Sequence, residues 1–263
     1  MKILAIGDVF GEPGRLAIQK KLPALRTGHR IDFVIANVEN AAHGRGVTPR
    51  ILEDLQASGV NAFTAGNHLW DAKEIIPYLR SSKTLVRPAN YHPDAPGSGS
   101  LIFEVYAGIK VCVISVEGQR LMGNAVDSPF RAVERERAKW AGKADIFIVD
   151  IHAETTSEKR AMGWYLDGRV AAVLGTHSHV QTADEEILPQ GTAYITDLGM
   201  TGPHDSVIGL DKRAALTRFV NQMPAPFEVA QGDVRLCGAL LDIEESKGRA
   251  MSIVRIQEKV ASL

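Results

Sequence analysis

The chain has 263 residues, with 45% hydrophobic and 23% charged residues, and 30 Lys+Arg against 31 Asp+Glu give a formal net charge of −1. These proportions exclude disordered, collagen-like and coiled-coil chains and describe a globular protein able to bury a sizeable core. The balanced charge argues against broad binding to polymeric nucleic acid or an anionic membrane, which need clustered excess Lys and Arg, and leaves a small anionic ligand open.

The opening MKILAIGDVFGEPG turns to acid and glycine too soon for a signal peptide and reads as a first strand. No apolar run reaches the roughly 18 residues needed to span a bilayer, so a cytoplasmic location is expected. Runs of strand length follow in order: KILAIG (2–7), DFVIAN (32–37), NAFTAG (61–66), KVCVISV (110–116), DIFIVDI (145–151) and RVAAVLG (169–175). Between them Thr48-Pro49 opens a helix ending near Gly59, Asp71 opens a second, and Ser128-Pro129 opens the charged helix RAVERERAKW. Beyond about residue 184, EILPQGTAYITD, FEVAQG, VRLCGALLDI and AMSIVRIQ read as strands, with one helix around DKRAALTRFV. The last two strands form a hairpin turning at Ser246-Lys247-Gly248. A βαβ-rich first half and a strand-rich second half predict an α/β fold of two packed mixed β-sheets flanked by helices, in a single domain over 1–263. Cys112 and Cys237 lie in apolar runs and read as buried core thiols of a reducing compartment.

Five of these strands end in metal-competent side chains: Asp8; Glu39 and Asn40; Asn67 and His68; His152; and His177 and His179. The carboxyl ends of strands in an open α/β sheet line a common crevice, so such residues converge there and can form a metal centre. Carboxylate, carboxamide and imidazole donors without thiols suit Mn, Fe or Zn. Each residue alone also has a plain structural reading as a cap, a turn former or a strand-end histidine. Two imidazoles two residues apart after a buried strand are harder to read that way.

The order Asp8, an acidic residue near 39, Gly66-Asn67-His68, a later His152 and His177-x-His179 resembles the calcineurin-like metallophosphoesterases. VENAAHGRGVT (38–48), HAETTSEK (152–159) and YITDLGMTGPHDSVIG (194–209) resemble its bacterial 2′,3′-cyclic-nucleotide phosphodiesterase branch. The resemblance implies a metallophosphoesterase-like sandwich with the active site at strand C-terminal ends. It also implies two metal ions, Fe or Mn foremost and Zn also accepted. Two departures stand out: Phe10 replaces the superfamily's first histidine, and Val38-Glu39-Asn40 replaces its Gly-Asp-x-x-Asp motif. In the resembling branch one ion takes Asp8, Glu39, Asn40 and His179, and the other takes Glu39, Asn67, His152 and His177. Hydroxide generated between the ions would attack phosphorus, with His68 as general acid. Asp71 would either orient His68 or cap the next helix.

Arg45, in the HGRG turn, would contact substrate phosphate or be a solvated loop arginine, and His204 is a further candidate substrate contact. Gly7, Gly66 and Gly175 are expected to let backbone approach the site closely. A cyclic-nucleotide phosphodiesterase is the leading functional expectation. A phosphomonoesterase or protein phosphatase with the same centre, and a regulatory protein not requiring turnover, stand beside it. The expected partner is a small phosphate ester, with a homo-oligomer left open.

Overall fold

The computed structural model describes residues 1–261. The elements run β1 (Lys2–Ile6), α1 (Gly11–His29), β2 (Phe33–Asn37), α2 (Pro49–Ala57), β3 (Ala62–Thr64), a 3-10 turn (Leu69–Asp71), α3 (Ile75–Leu79), β4 (Leu85–Val86), β5 (Ser100–Tyr106), β6 (Ile109–Glu117) and α4 (Pro129–Trp140). They continue as β7 (Ile146–His152), α5 (Thr156–Leu166), β8 (Ala172–Thr176), β9 (Glu186–Ile187), β10 (Ala193–Ile195), β11 (Gly202–Pro203), α6 (Lys212–Asn221), β12 (Val234–Glu244) and β13 (Arg249–Lys259).

Two mixed sheets result. The first runs β11-β12-β1-β2-β3-β4, with β13 paired to β12, and the second runs β5-β6-β7-β8-β10-β9. Because successive strand residues point to opposite faces, β1 feeds two cores. Ile3 and Ala5 meet Val111, Val113, Ile146 and Ile148 of the second sheet. Leu4 and Ile6 instead pack with Ala17, Ile18, Leu22, Leu52 and Leu55 from α1 and α2. A third core joins Cys112, Ile114, Val149 and Ile151 to Ala132, Val133, Met162 and Leu166 of α4 and α5. The order helix, sheet, sheet, helix is the expected sandwich. Both cysteines are buried and free, and burial pushes the Cys112 thiol up to about 12 and Cys237 up to about 11. Among the described residues no helix is long and apolar enough to cross a membrane.

Three elements differ from expectation. Helix α1 lacks a capping side chain: its cap residue Phe10 makes no side-chain cap hydrogen bond, and Pro23 lies inside the helix. Its helical state rests on burying Ala17, Ile18, Leu22 and Leu25 against the first sheet. Asp71 closes the 3-10 turn instead of opening a helix, and α3 begins four residues later with Glu74 as its cap. FEVAQG is an extended strap joined to the rest by the bridge Leu210↔Val229. The closing hairpin is as expected, with Gly248 at φ 59 in its turn.

Candidate metal centre

Register places the chemistry. In the first sheet β1, β2 and β3 are parallel neighbours, with Ile6 beside Ala36 and Asn37 beside Thr64. The residues just past their ends, Asp8, Glu39, Asn40 and Asn67, therefore emerge on one edge. In the second sheet Glu117, His152 and Thr176 lie abreast at the ends of β6, β7 and β8. Asp8, Glu39, Asn40 and His152 are buried at 3% exposure or less. Gly66 keeps the two edges close, since a Cβ there would come within 2.0 Å of the His152 ring.

His152 shows what the site is built to hold. Its Nδ1 lies 2.9 Å from Thr176 Oγ1, whose proton goes to Asp150 at 2.7 Å. The Thr176 oxygen therefore accepts from Nδ1–H, and Nε2 carries the lone pair. That lone pair faces Glu39 Oε1, Asn67 Oδ1 and His177 Nδ1, each at 3.0 Å. Four electron-pair donors at this spacing repel one another unless a cation sits among them. Ligands about 2.1 Å from a common ion and at right angles to one another would stand about 3.0 Å apart. The chain's own charges agree. Burial disfavours charge on Glu39, yet His152 and His68 hold its carboxyl down to about 2. Burial likewise opposes protonation of His152, but Glu39, Asp8 and Asp150 carry it up to about 9. His177 is driven down to about 3 by burial and by His152. A proton is the smallest cation this cradle accepts.

The other donors each have one atom tied to protein and another available. Asp8 Oδ2 accepts from His177 N at 3.1 Å, while buried Oδ1 has no hydrogen-bond partner. Burial pushes this carboxyl up to about 6 against the pull of His179 and His152. Asn40 Nδ2 donates to Gly44 O at 3.0 Å and leaves its buried Oδ1 unpartnered. His179 engages Ile208 O through Nδ1 at 3.0 Å, so Nε2 is its remaining donor. Buried polar atoms left unpaired are costly, so two unpaired oxygens beside the four-donor cluster suit a second ion. Phe10 packs edge-on to His179 with ring centroids 5.4 Å apart, supplying an apolar wall but no donor.

The two histidines after β8 do not continue the strand. His177 and His179 both adopt left-handed backbone, at φ 99 and φ 65, which is uncommon for non-glycine residues. The turn is held from outside. Ser178 donates through N at 3.0 Å and Oγ at 2.8 Å to Asp197, itself paired with buried Lys159 at 2.7 Å.

His68 lies at the cleft with its Nδ1 3.0 Å from Asp71 Oδ2, so Asp71 pairs with His68 and does not cap the next helix. Arg45 also lines the cleft, its guanidinium 5.0 Å above the Phe227 ring. His204 is not brought there: its Nε2 engages Met200 O at 3.0 Å, and it does not line the cleft.

Sequence reasoning missed several supporting residues. Glu154 sits 3.1 Å from His177 Nε2, and Asn37, Thr64 and Thr176 all donate to Asp150 behind His152. The available signal was a carboxylate inside the apolar strand IFIVDIH, which is expensive to bury without partners.

Comparison with known proteins gives consistent relatives. The YmdB-like protein family matches residues 4–256. A 2′,3′-cyclic-nucleotide 2′-phosphodiesterase of Bacillus subtilis (strain 168) is 45% identical over 256 residues, covering 97% of this chain and 96% of that protein. A putative phosphatase/phosphodiesterase of Mycoplasma pneumoniae is 37% identical over 93% of this chain and 88% of its own length. The crystal structure of a hypothetical protein from Thermus thermophilus superposes with TM-score 0.92 at 44% identity, covering 98% of this chain and 99% of that one. With its strand-end donors gathered as described, the chain belongs to the YmdB-like family of calcineurin-like metallophosphoesterases.

Proposed function

We propose that this phosphoric ester hydrolase is a dinuclear metal-dependent phosphodiesterase that opens 2′,3′-cyclic nucleotides in the cytoplasm, with His68 as general acid. The observation that carries the reading is the convergence of Glu39, Asn67 and His177 on His152 Nε2, with the unpaired oxygens of Asp8 and Asn40 alongside. The relatives' phosphodiesterase and phosphatase names support the reaction class.

Two divalent ions, Fe or Mn foremost and Zn also compatible, would supply positive charge for the phosphoryl oxygens and acidify the attacking water. Asp8, Glu39, Asn40 and His179 would hold one, and Glu39, Asn67, His152 and His177 the other. Only Asp8 and Glu39 among these seven donors bring formal charge, so the centre stays cationic and attracts an anionic ester. Glu39 does a second job, since its Oε2 accepts from His68 N at 3.2 Å and ties the acid's backbone to the donor set. Asp71 occupies His68 Nδ1, so the proton for the departing ribose oxygen comes from Nε2. Asp150 and Thr176 hold the His152 tautomer, and the Lys159–Asp197 pair holds the His177–His179 turn.

The test is metal analysis of freshly purified protein followed by turnover assays with each candidate ion on a 2′,3′-cyclic nucleotide and on a phosphomonoester. Preference for the cyclic diester is expected. A reversed preference would assign the same centre to a phosphomonoesterase, and no turnover with any ion would remove catalysis altogether.

A further inference from the structure

The cleft of about 330 Å³ that exposes Glu39, Asn40, His68, His177 and His179 has a second wall made of Phe10, Phe227 and Arg45. Nothing in the metal chemistry requires it. The Arg45 guanidinium lies over the Phe227 ring at 5.0 Å, and Phe227 and Phe10 are tilted toward each other at 6.4 Å and 31°. Arg45 forms no ion pair with a carboxylate among the described residues, so its charge remains for a ligand. The rings are closely packed. Gly44 takes φ 86 in the HGRG turn, and a Cβ there would come within 2.7 Å of Phe227 and 2.9 Å of Phe10.

Phe227 is also fixed along the chain. It rides on the strap between α6 and β12, directly after Pro226, whose ring restricts the backbone. Arg218 Nε donates to Ala225 O at 3.1 Å, Asp211 N to Glu228 O at 2.9 Å, and Ala230 N to Gly209 O at 2.9 Å, which ties the strap down on both sides of the ring.

We propose that Phe227 with Arg45 stacked on it is the nucleobase platform of this enzyme. The inference rests on the phosphodiesterase reading and names where the non-reacting half of the substrate lies. A nucleotide presents an anionic phosphoryl group and a planar heterocycle, and the cleft presents a cation-binding centre and a planar aromatic–guanidinium pair. Aromatic rings and guanidinium planes bind bases by stacking, with little dependence on base identity. The phenyl rings of Phe10 and Phe227 carry no hydrogen-bonding group, so the platform itself binds every base, with purines ahead of pyrimidines because of their larger stacking area.

The experiment is calorimetric binding of adenosine 3′-monophosphate and of inorganic phosphate to the manganese-loaded protein, compared as a ratio of affinities. In the wild type the nucleotide binds at least tenfold more tightly. Phe227→Ala and Arg45→Ala each shrink that ratio roughly tenfold or more, and Phe227→Tyr retains it. An unchanged ratio in both alanine variants overturns the platform. So does collapse of the ratio in Trp70→Ala instead, which would move the base to the separate cavity of about 420 Å³ lined by Trp70, Tyr91 and Asn124. Turnover of 2′,3′-cyclic AMP and of base-free glycerol 1,2-cyclic phosphate is measured in parallel. Failure of the wild type on both removes the phosphodiesterase reading, while the binding ratio judges the platform independently.

Discussion

His68 is the proposed general acid, and its geometry sets it apart from the proposed metal donors. It stands next to Asn67 in the chain, yet its Nδ1 is held by Asp71 and its side chain is outside the cluster around His152 Nε2. His68→Ala should keep full metal content and lose about 10²–10⁴-fold in turnover of the cyclic diester, the usual range for a general acid. Unchanged turnover would take the acid role away from it. Asp8→Asn and His177→Ala should behave differently, each lowering bound metal by elemental analysis. Full occupancy in both would refute the ligand assignment. Asp8, Glu39 and His152 stood out in the sequence because each lies at the end of an apolar strand. The role of Asp71 was not, because a helix cap and a histidine partner look alike until the 3-10 turn is seen.

At the scale of elements, the turn after β8 carries the strain of the site. Its two left-handed histidines are stabilised by contacts made far away in sequence: Asp197 after β10, and Lys159 from α5. Lys159→Met leaves the Asp197 carboxylate buried without its cation, a change that costs about 3–5 kcal/mol. For a chain of this size that lowers Tm by roughly 6–20 °C, and occupancy at the centre should fall as the turn loosens. Adding Asp197→Asn should recover part of the lost stability, because the uncompensated charge is then gone; strictly additive losses would argue against the clamp. Helix α1 shows the complementary limit of sequence reading. With glycine in its first turn, proline in its middle and no capping side chain, its helicity comes from the face it buries on the first sheet.

For the whole molecule, the balanced formal charge of −1 hides a local concentration of donors in one cleft. Manganese at a hundred times its dissociation constant should stabilise the folded chain by about 2.7 kcal/mol for one site, since the unfolded chain cannot assemble the set. Thermal melts should therefore rise by roughly 5–10 °C on loading and fall back with a chelator. Absence of any shift would mean that the gathered donors take no ion.

The sequence by itself determined the alternation of strands and helices, the sandwich class and the donors at five strand ends, because local periodicity and strand termini are properties of short segments. Only the tertiary structure decided the rest. It aimed three donors at His152 Nε2, turned His177 and His179 out of the extended path, kept His204 away from the cleft, and brought Arg45 onto Phe227. Apart from the local contact of His204 with Met200, these depend on groups tens to hundreds of residues apart, whose meeting is set by packing of the two sheets and not by any local pattern.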